Sequence, residues 1–121
     1  MEVTKIFTFD AAHNLPNYVG PCKNMHGHTY KLEITVRGDI DFKTGMVVDF
    51  SNLNRVVRDE VITVLDHKLL NEVEYNPTAE HLCLWILDRL KHNFQKNKYV
   101  VSKIRLWETP TSYATWRIED E

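Results

Sequence analysis

Three histidines, one cysteine, an Asp-His pair and one glutamate carry the chemistry open to this chain. His26 and His28 flank a single glycine, and Cys22 stands four residues ahead of the first of them. Side chains alternate along an extended backbone, so the two imidazoles project from one face and can share a metal ion, with Gly27 leaving space between them. His13, upstream, is the candidate third ligand. Three nitrogen donors leave the fourth position of a zinc ion open, the arrangement of catalytic rather than structural sites. No cysteine pair or fourth histidine stands at zinc-finger spacing. A Cys22 thiolate beside such a metal could be a general base, a nucleophile or a fourth ligand; an inert loop thiol is the plain alternative. Asp66-His67 pairs a carboxylate with an imidazole that titrates near neutrality, suited to moving protons; the alternative is a solvated helix end, where histidine suits the dipole. Glu108 can accept two parallel hydrogen bonds from a guanidine-like edge, or form a simple salt bridge.

The elements that would position these groups follow from periodicity. Over residues 3–13, Val3, Phe7, Phe9, Ala11 and His13 fall on one parity and Thr4, Thr8 and Asp10 on the other, which predicts a strand ending at His13. Asn14 to Met25, with two prolines and a glycine, read as a loop. A second strand places His28, Tyr30, Leu32, Ile34 and Val36 on one face, with His26 on the same parity. Antiparallel pairing would bring the histidine-bearing ends together. Asp41 to Gly45 reads as a turn and Met46-Val-Val as a short extended piece. Asp49 or Ser51 can cap a helix carrying Leu53, Val56, Val57, Val61, Val64 and Leu65. The pattern fades at Asp66-His67-Lys68 into a polar loop. Asn76-Pro77 opens a second helix whose stripe is Leu82, Cys83, Ile86, Leu87, Leu90 and Phe94. Cys83 is there a small core residue, and His81 and His92 are ordinary helix positions. Val100, Ser102, Ile104 and Leu106 alternate into Glu108, and a last strand runs from Tyr113 to Ile118. The expected architecture is α+β, a four-stranded antiparallel sheet with two helices on one face in the order β-β-α-α-β-β. The other face and the outer strand edges would be uncovered in a monomer, which points to assembly.

Composition bounds the rest. The 121 residues suit one domain, with 43% hydrophobic and 26% charged residues. A formal net charge of −2 gives no support to nucleic-acid binding. No apolar run approaches a membrane span, and Met-Glu-Val-Thr-Lys lacks the apolar core of a secretory signal. Nothing in the setting of Cys22 and Cys83 suggests a disulfide, so the expectation is a reduced, cytoplasmic protein without membrane or nucleic-acid partners.

Six separated motifs, in order, sharpen this reading: Phe9-Asp-Ala-Ala-His13, Cys22-x-x-x-His-Gly-His28, Thr44-Gly-Met-Val-Val-Asp-Phe50, Leu65-Asp-His67, Asn76-Pro-Thr-Ala-Glu80 and Trp107-Glu-Thr109. Together they resemble the 6-pyruvoyltetrahydropterin synthase superfamily over nearly the whole chain. The three-residue spacer between Cys22 and His26 resembles the 6-carboxy-5,6,7,8-tetrahydropterin synthases of queuosine and deazapurine biosynthesis, whereas the pyruvoyl-forming synthases usually carry a longer gap. The resemblance implies the tunnelling fold (T-fold), whose subunits form barrels by strand pairing, commonly trimers stacked into hexamers with active sites at subunit interfaces. It implies zinc on His13, His26 and His28, with Cys22 as proton acceptor and Asp66 and His67 as its relay partners. Glu108 would anchor the pterin's amino-pyrimidine edge, and Thr78 and Glu80 would line the pterin pocket. Two departures are Trp107, where smaller residues are frequent, and Ala79, at a place often held by a hydroxyl residue.

The implied reaction converts 7,8-dihydroneopterin triphosphate to 6-carboxy-5,6,7,8-tetrahydropterin, acetaldehyde and triphosphate. A pyruvoyl-forming synthase or a dihydroneopterin aldolase-like lyase shares the same site residues. A zinc hydrolase of other ancestry would want a carboxylate base beside the His-x-His. A non-catalytic metal-binding module leaves Cys22, Asp66-His67 and Glu108 without a role. Lys23, Lys31 and Lys68 are candidates for the triphosphate by location.

Overall fold

The first two strands are long because both alternate over most of their length, with Lys5 and Ile6 exchanged in β1 and Thr35 buried on the polar parity of β2. In the computed structural model, which describes residues 1–20, 24–94 and 98–120, β1 (Glu2–His13) and β2 (His26–Gly38) pair antiparallel in continuous register from Glu2 opposite Arg37 to His13 opposite His26. Their odd and even faces respectively bury Phe7, Phe9, Tyr30, Leu32, Ile34 and Val36. Phe9 stacks on Tyr30 with ring centroids 5.0 Å apart. Each such aliphatic or aromatic side chain taken from water contributes about 1.5–3 kcal/mol, so this stripe alone fixes the register.

Helix α1 (Phe50–Val57) opens at Asp49, whose carboxylate accepts from the Ser51 N–H at 2.8 Å. It continues through a wide π-type turn, Arg58–Ile62, and a last turn, Thr63–Leu65. The wide turn follows from residue spacing. Leu53, Val57, Val61 and Leu65 are all fully buried and recur every fourth residue, a longer period than an α-helix supplies. One wider turn restores them to a single face.

Residues 66–69 differ from the expected fading helix and loop. The chain leaves the helix at Asp66 in extended conformation, His67 takes a left-handed φ of 58°, and Lys68–Leu69 forms a two-residue strand, β3, parallel to Ala11 and Ala12 of β1. The sheet therefore has five strands and is mixed, not four-stranded and purely antiparallel. A two-residue strand has no periodicity to read, and only its partner reveals it. A 3-10 turn, Leu70–Glu72, then buries Leu70.

Helix α2 (Ala79–Phe94) starts two residues later than Pro77, with Thr78 as its cap: the Thr78 hydroxyl accepts from the His81 N–H at 3.1 Å. Leu82, Cys83, Ile86, Leu87, Leu90 and Phe94 are buried as expected, and His81 and His92 are exposed. No helix among the described residues is long and apolar enough to cross a membrane.

β4 (Tyr99–Thr109) pairs with β2, and β5 (Ser112–Arg117) pairs with β4, before a closing 3-10 turn, Ile118–Asp120. The alternation expected from Val100 onward is broken. Register shifts opposite Thr35 and Val36, so Val101 is buried and Val100 exposed. Ser102 fills the resulting bulge, buried, with its hydroxyl 3.3 Å from Glu2 Oε1. The final strand order is β3-β1-β2-β4-β5, with the helices on the face that carries the apolar stripe.

Candidate metal centre and active site

The register of β1 and β2 ends on the site. His13 lies opposite His26, and Ala11 opposite His28, so the last rungs of the ladder deliver three imidazoles to the helix-covered face. Their ligand atoms lie within 4.8 Å of one another. Gly27 is not needed for clearance, contrary to expectation. A Cβ there would meet only the Ala11 carbonyl oxygen at 3.7 Å, an ordinary contact.

The tautomers follow from the partners. His13 Nδ1–H donates to the Pro77 carbonyl at 3.1 Å, and His26 Nδ1–H donates to the Asn24 carbonyl at 2.7 Å, because a carbonyl can only accept. Each Nε2 is then an unprotonated lone pair, and the two face each other at 3.0 Å. Glu108 Oε1, another acceptor, stands 3.3 Å from His13 Nε2 and 3.7 Å from His28 Nε2. His28 Nε2 is buried with no hydrogen-bond partner. Converging lone pairs with an orphaned buried nitrogen repel one another unless a cation sits among them. This donor set therefore fits a metal ion, and nitrogen donors with one carboxylate nearby suit zinc. Burial, the largest influence, pushes the pKa of both His13 and His28 down, which keeps the imidazoles neutral as metal ligands must be. The Tyr30 hydroxyl, 3.3 Å from His13 Nδ1, closes the buried side, and burial raises its pKa.

The Asp66-His67 pair sits on the other side of β1. Asp66 Oδ1 is 3.0 Å from His67 Nδ1 and accepts the Asp10 N–H at 3.0 Å. The Asp10 N–H, first, and then the His67 side chain hold the Asp66 carboxyl below its ordinary pKa. The His67 N–H donates to the Asp10 carbonyl, and the Thr29 hydroxyl donates to the Asp10 carboxylate. Asp10 is thus the unforeseen organiser of the pair. Its signal in the sequence is its place on the polar parity of β1, which pairing sets opposite Thr29. Asn71 is a second unforeseen support: it bonds both the N–H and the carbonyl of Asn14 and so ties down the chain just after His13.

Three cavities meet here. One is lined by Asp10, Gly27, His28, His67 and Lys68. A second, ≈ 470 Å³, runs from His28 and Glu108 over Lys31 and Trp107. A third puts Glu80 beside Glu108 and Tyr113. The structure thus brings His13, His26, His28 and Glu108 into contact and sets Glu80 nearby, while the Thr78 hydroxyl serves as a helix cap. Cys22 lies outside the described residues. Cys83 is no substitute for it: burial leaves it 2% exposed and pushes its pKa up to about 12.

The family pattern described as 6-pyruvoyl tetrahydropterin synthase matches residues 2–119, and the chain belongs to that family. It is 37% identical to a 6-carboxy-5,6,7,8-tetrahydropterin synthase of Haemophilus influenzae, over 96% of this chain and 98% of the relative. It is 41% identical to a dihydroneopterin monophosphate aldolase of Pyrococcus furiosus, over 84% and 83%. The solved 6-pyruvoyl tetrahydropterin synthase of Caenorhabditis elegans superposes with a TM-score of 0.86 at 28% identity, covering 97% of this chain and 94% of that one. The fold is therefore the expected T-fold, enlarged by β3.

Proposed function

We propose that this protein is a zinc-dependent enzyme that converts 7,8-dihydroneopterin triphosphate and one water to 6-carboxy-5,6,7,8-tetrahydropterin, acetaldehyde and triphosphate, in queuosine or a related deazapurine pathway. One observation carries the metal reading: the facing Nε2 lone pairs of His13 and His26, locked by two carbonyls, with His28 Nε2 orphaned beside them. Full-length similarity to the Haemophilus influenzae synthase, with the short Cys22–His26 spacer, supports this product over the sister reactions.

His13, His26 and His28 would hold zinc, which supplies a Lewis acid that lowers the pKa of hydroxyls on the substrate side chain. Glu108 accepts the paired N–H donors of the amino-pyrimidine edge and fixes the ring, a gain mainly of orientation. Glu80 shares the cavity beyond it. Cys22 is assigned the proton acceptor by its place in the motif. Asp66 orients His67 through Nδ1, leaving Nε2 of that ring to hand protons on. The outer edge of β1 is covered by β3 only at Ala11 and Ala12, and β5 is a free edge among the described strands. Such edges support a homo-oligomer, a trimer or hexamer, with sites completed between subunits.

The decisive experiment is product analysis by mass spectrometry after incubating zinc-loaded protein with 7,8-dihydroneopterin triphosphate. Carboxytetrahydropterin with equimolar acetaldehyde is expected. A pyruvoyl product, or no conversion, would remove this reading.

A further inference from the structure

The helix-free face of the sheet carries one row that crosses four strands: Thr8, Lys31, Trp107 and Tyr113, each directly opposite the next. The Lys31 ammonium lies 4.2 Å from the centroid of the Trp107 ring, and Tyr113 packs against the same indole at 4.3 Å. With neighbours on the ring, Trp107 is not free to stack on a planar ligand. It acts on its neighbours instead. Its indole N–H donates to Glu33 Oε2 at 2.5 Å. Glu33 is two residues from Lys31 on the same strand face, and is the carboxylate that would otherwise neutralise it. The indole therefore takes the anion at its edge and the cation on its face. Among the described residues Lys31 makes no ion pair, and it lines the ≈ 470 Å³ cavity that also reaches His28 and Glu108.

We propose that Lys31, held by Trp107, is the cation that grips the phosphate groups of the substrate, so that this cavity takes the phosphate end of an organic triphosphate. The assignment rests on the pterin-synthase reading above and chooses between its two described lysines, Lys31 and Lys68; Lys23 lies outside the described residues. Lys68 lies in the neighbouring cavity, where the Asp10 carboxylate opposes a polyanion. The third cavity carries Glu80 and Glu108 and no cation. Of these three cavities, as lined by the described residues, the Lys31 one alone combines a fixed, unpaired ammonium with His28 and Glu108. The exposed Thr8 hydroxyl, opposite Lys31, adds a donor for a phosphate oxygen. Trp107 is a positioning residue, and Lys31 the one that touches ligand.

Titration calorimetry of zinc-loaded protein with inorganic triphosphate, at fixed ionic strength, tests the subsite. K31Q should weaken binding about tenfold or more, the size of one charge-assisted contact, and K31R should retain it. W107F should weaken binding by freeing Glu33 to pair with Lys31, and the double variant W107F/E33Q should recover it. In turnover, K31Q should raise KM with kcat retained. Inorganic triphosphate binding as tightly to K31Q as to the unmodified protein, or a loss that appears in K68Q instead, overturns the proposal. Protein that binds inorganic triphosphate through Lys31 yet converts no dihydroneopterin triphosphate would sink the functional reading and sustain the subsite.

Discussion

His13 and His26 point Nε2 at Nε2 across 3.0 Å, each with its other nitrogen committed to a main-chain carbonyl. Neither ring can turn to relieve the contact without stranding a donor, so the pair is held ready for a cation and is unfavourable without one. Zinc should bind one per chain and raise the thermal midpoint, since a ligand at 100 times its Kd stabilises by about 2.7 kcal/mol. Removal of metal with a chelator should lower the midpoint again. Plasma emission should find no stoichiometric zinc in a His26→Ala, His28→Ala double variant; metal persisting there would end the ligand assignment.

The two cysteines should differ sharply in reactivity. Cys83 is packed on the buried stripe of α2, and a pKa of about 12 leaves on the order of one thiolate in ten thousand at pH 8. Iodoacetamide should therefore label one thiol per native chain, Cys22 by peptide mapping, and abolish turnover. Cys83→Ala should change neither result. Equal labelling of both cysteines in folded protein would contradict the packing.

Asp66 makes the stability depend on acid pH in a stated direction. Its folded pKa is lowered, chiefly by the Asp10 N–H, so its ionised form favours the native state. That contribution is complete above the unfolded value, near 3.8, and is lost as pH falls through the lower folded value. Urea midpoints of the unmodified protein and Asp66→Asn should therefore differ at pH 6 and converge as pH drops below the ordinary aspartate range. A gap that stays constant across that range would show that the carboxylate's charge does not contribute.

The site was legible where periodicity carried it. The alternation of β1 and β2 puts His13, His26 and His28 on the apolar faces of their strands, and pairing does the rest. The spacing of four from Leu53 to Leu65 also carries the wide turn that follows α1, since it exceeds 3.6 residues per turn. What escaped had no period: β3 is two residues, and the bulge at Ser102 depends on what β2 does opposite it. Asp10 escaped because its part is played mainly by main-chain groups, which any residue possesses. The same holds for the carbonyls of Pro77 and Asn24, which set the tautomers.

His67 separates backbone strain from chemistry. It holds a left-handed φ of 58°, a conformation that costs a side chain with a Cβ about 1–2 kcal/mol. What keeps it there is the main-chain bond from its N–H to the Asp10 carbonyl and the strand pairing that begins at Lys68. The turn sets the imidazole against Asp66 at 3.0 Å, in the cavity that His28 also lines. His67→Gly relieves the strain but frees the unfolded chain, so its stability should stay within about 1 kcal/mol of the unmodified protein. His67→Asn tolerates the same backbone and should do likewise, whereas His67→Ala keeps the strain, loses the Asp66 contact and should be the least stable. All three remove the ring proposed to carry protons, so turnover should fall by about 10²–10⁴ in each, whatever the stability. Denaturation midpoints set beside kcat for the three variants make the comparison. If kcat tracks the midpoints, with Gly and Asn nearly fully active, then His67 is a turn residue and the relay must be sought elsewhere.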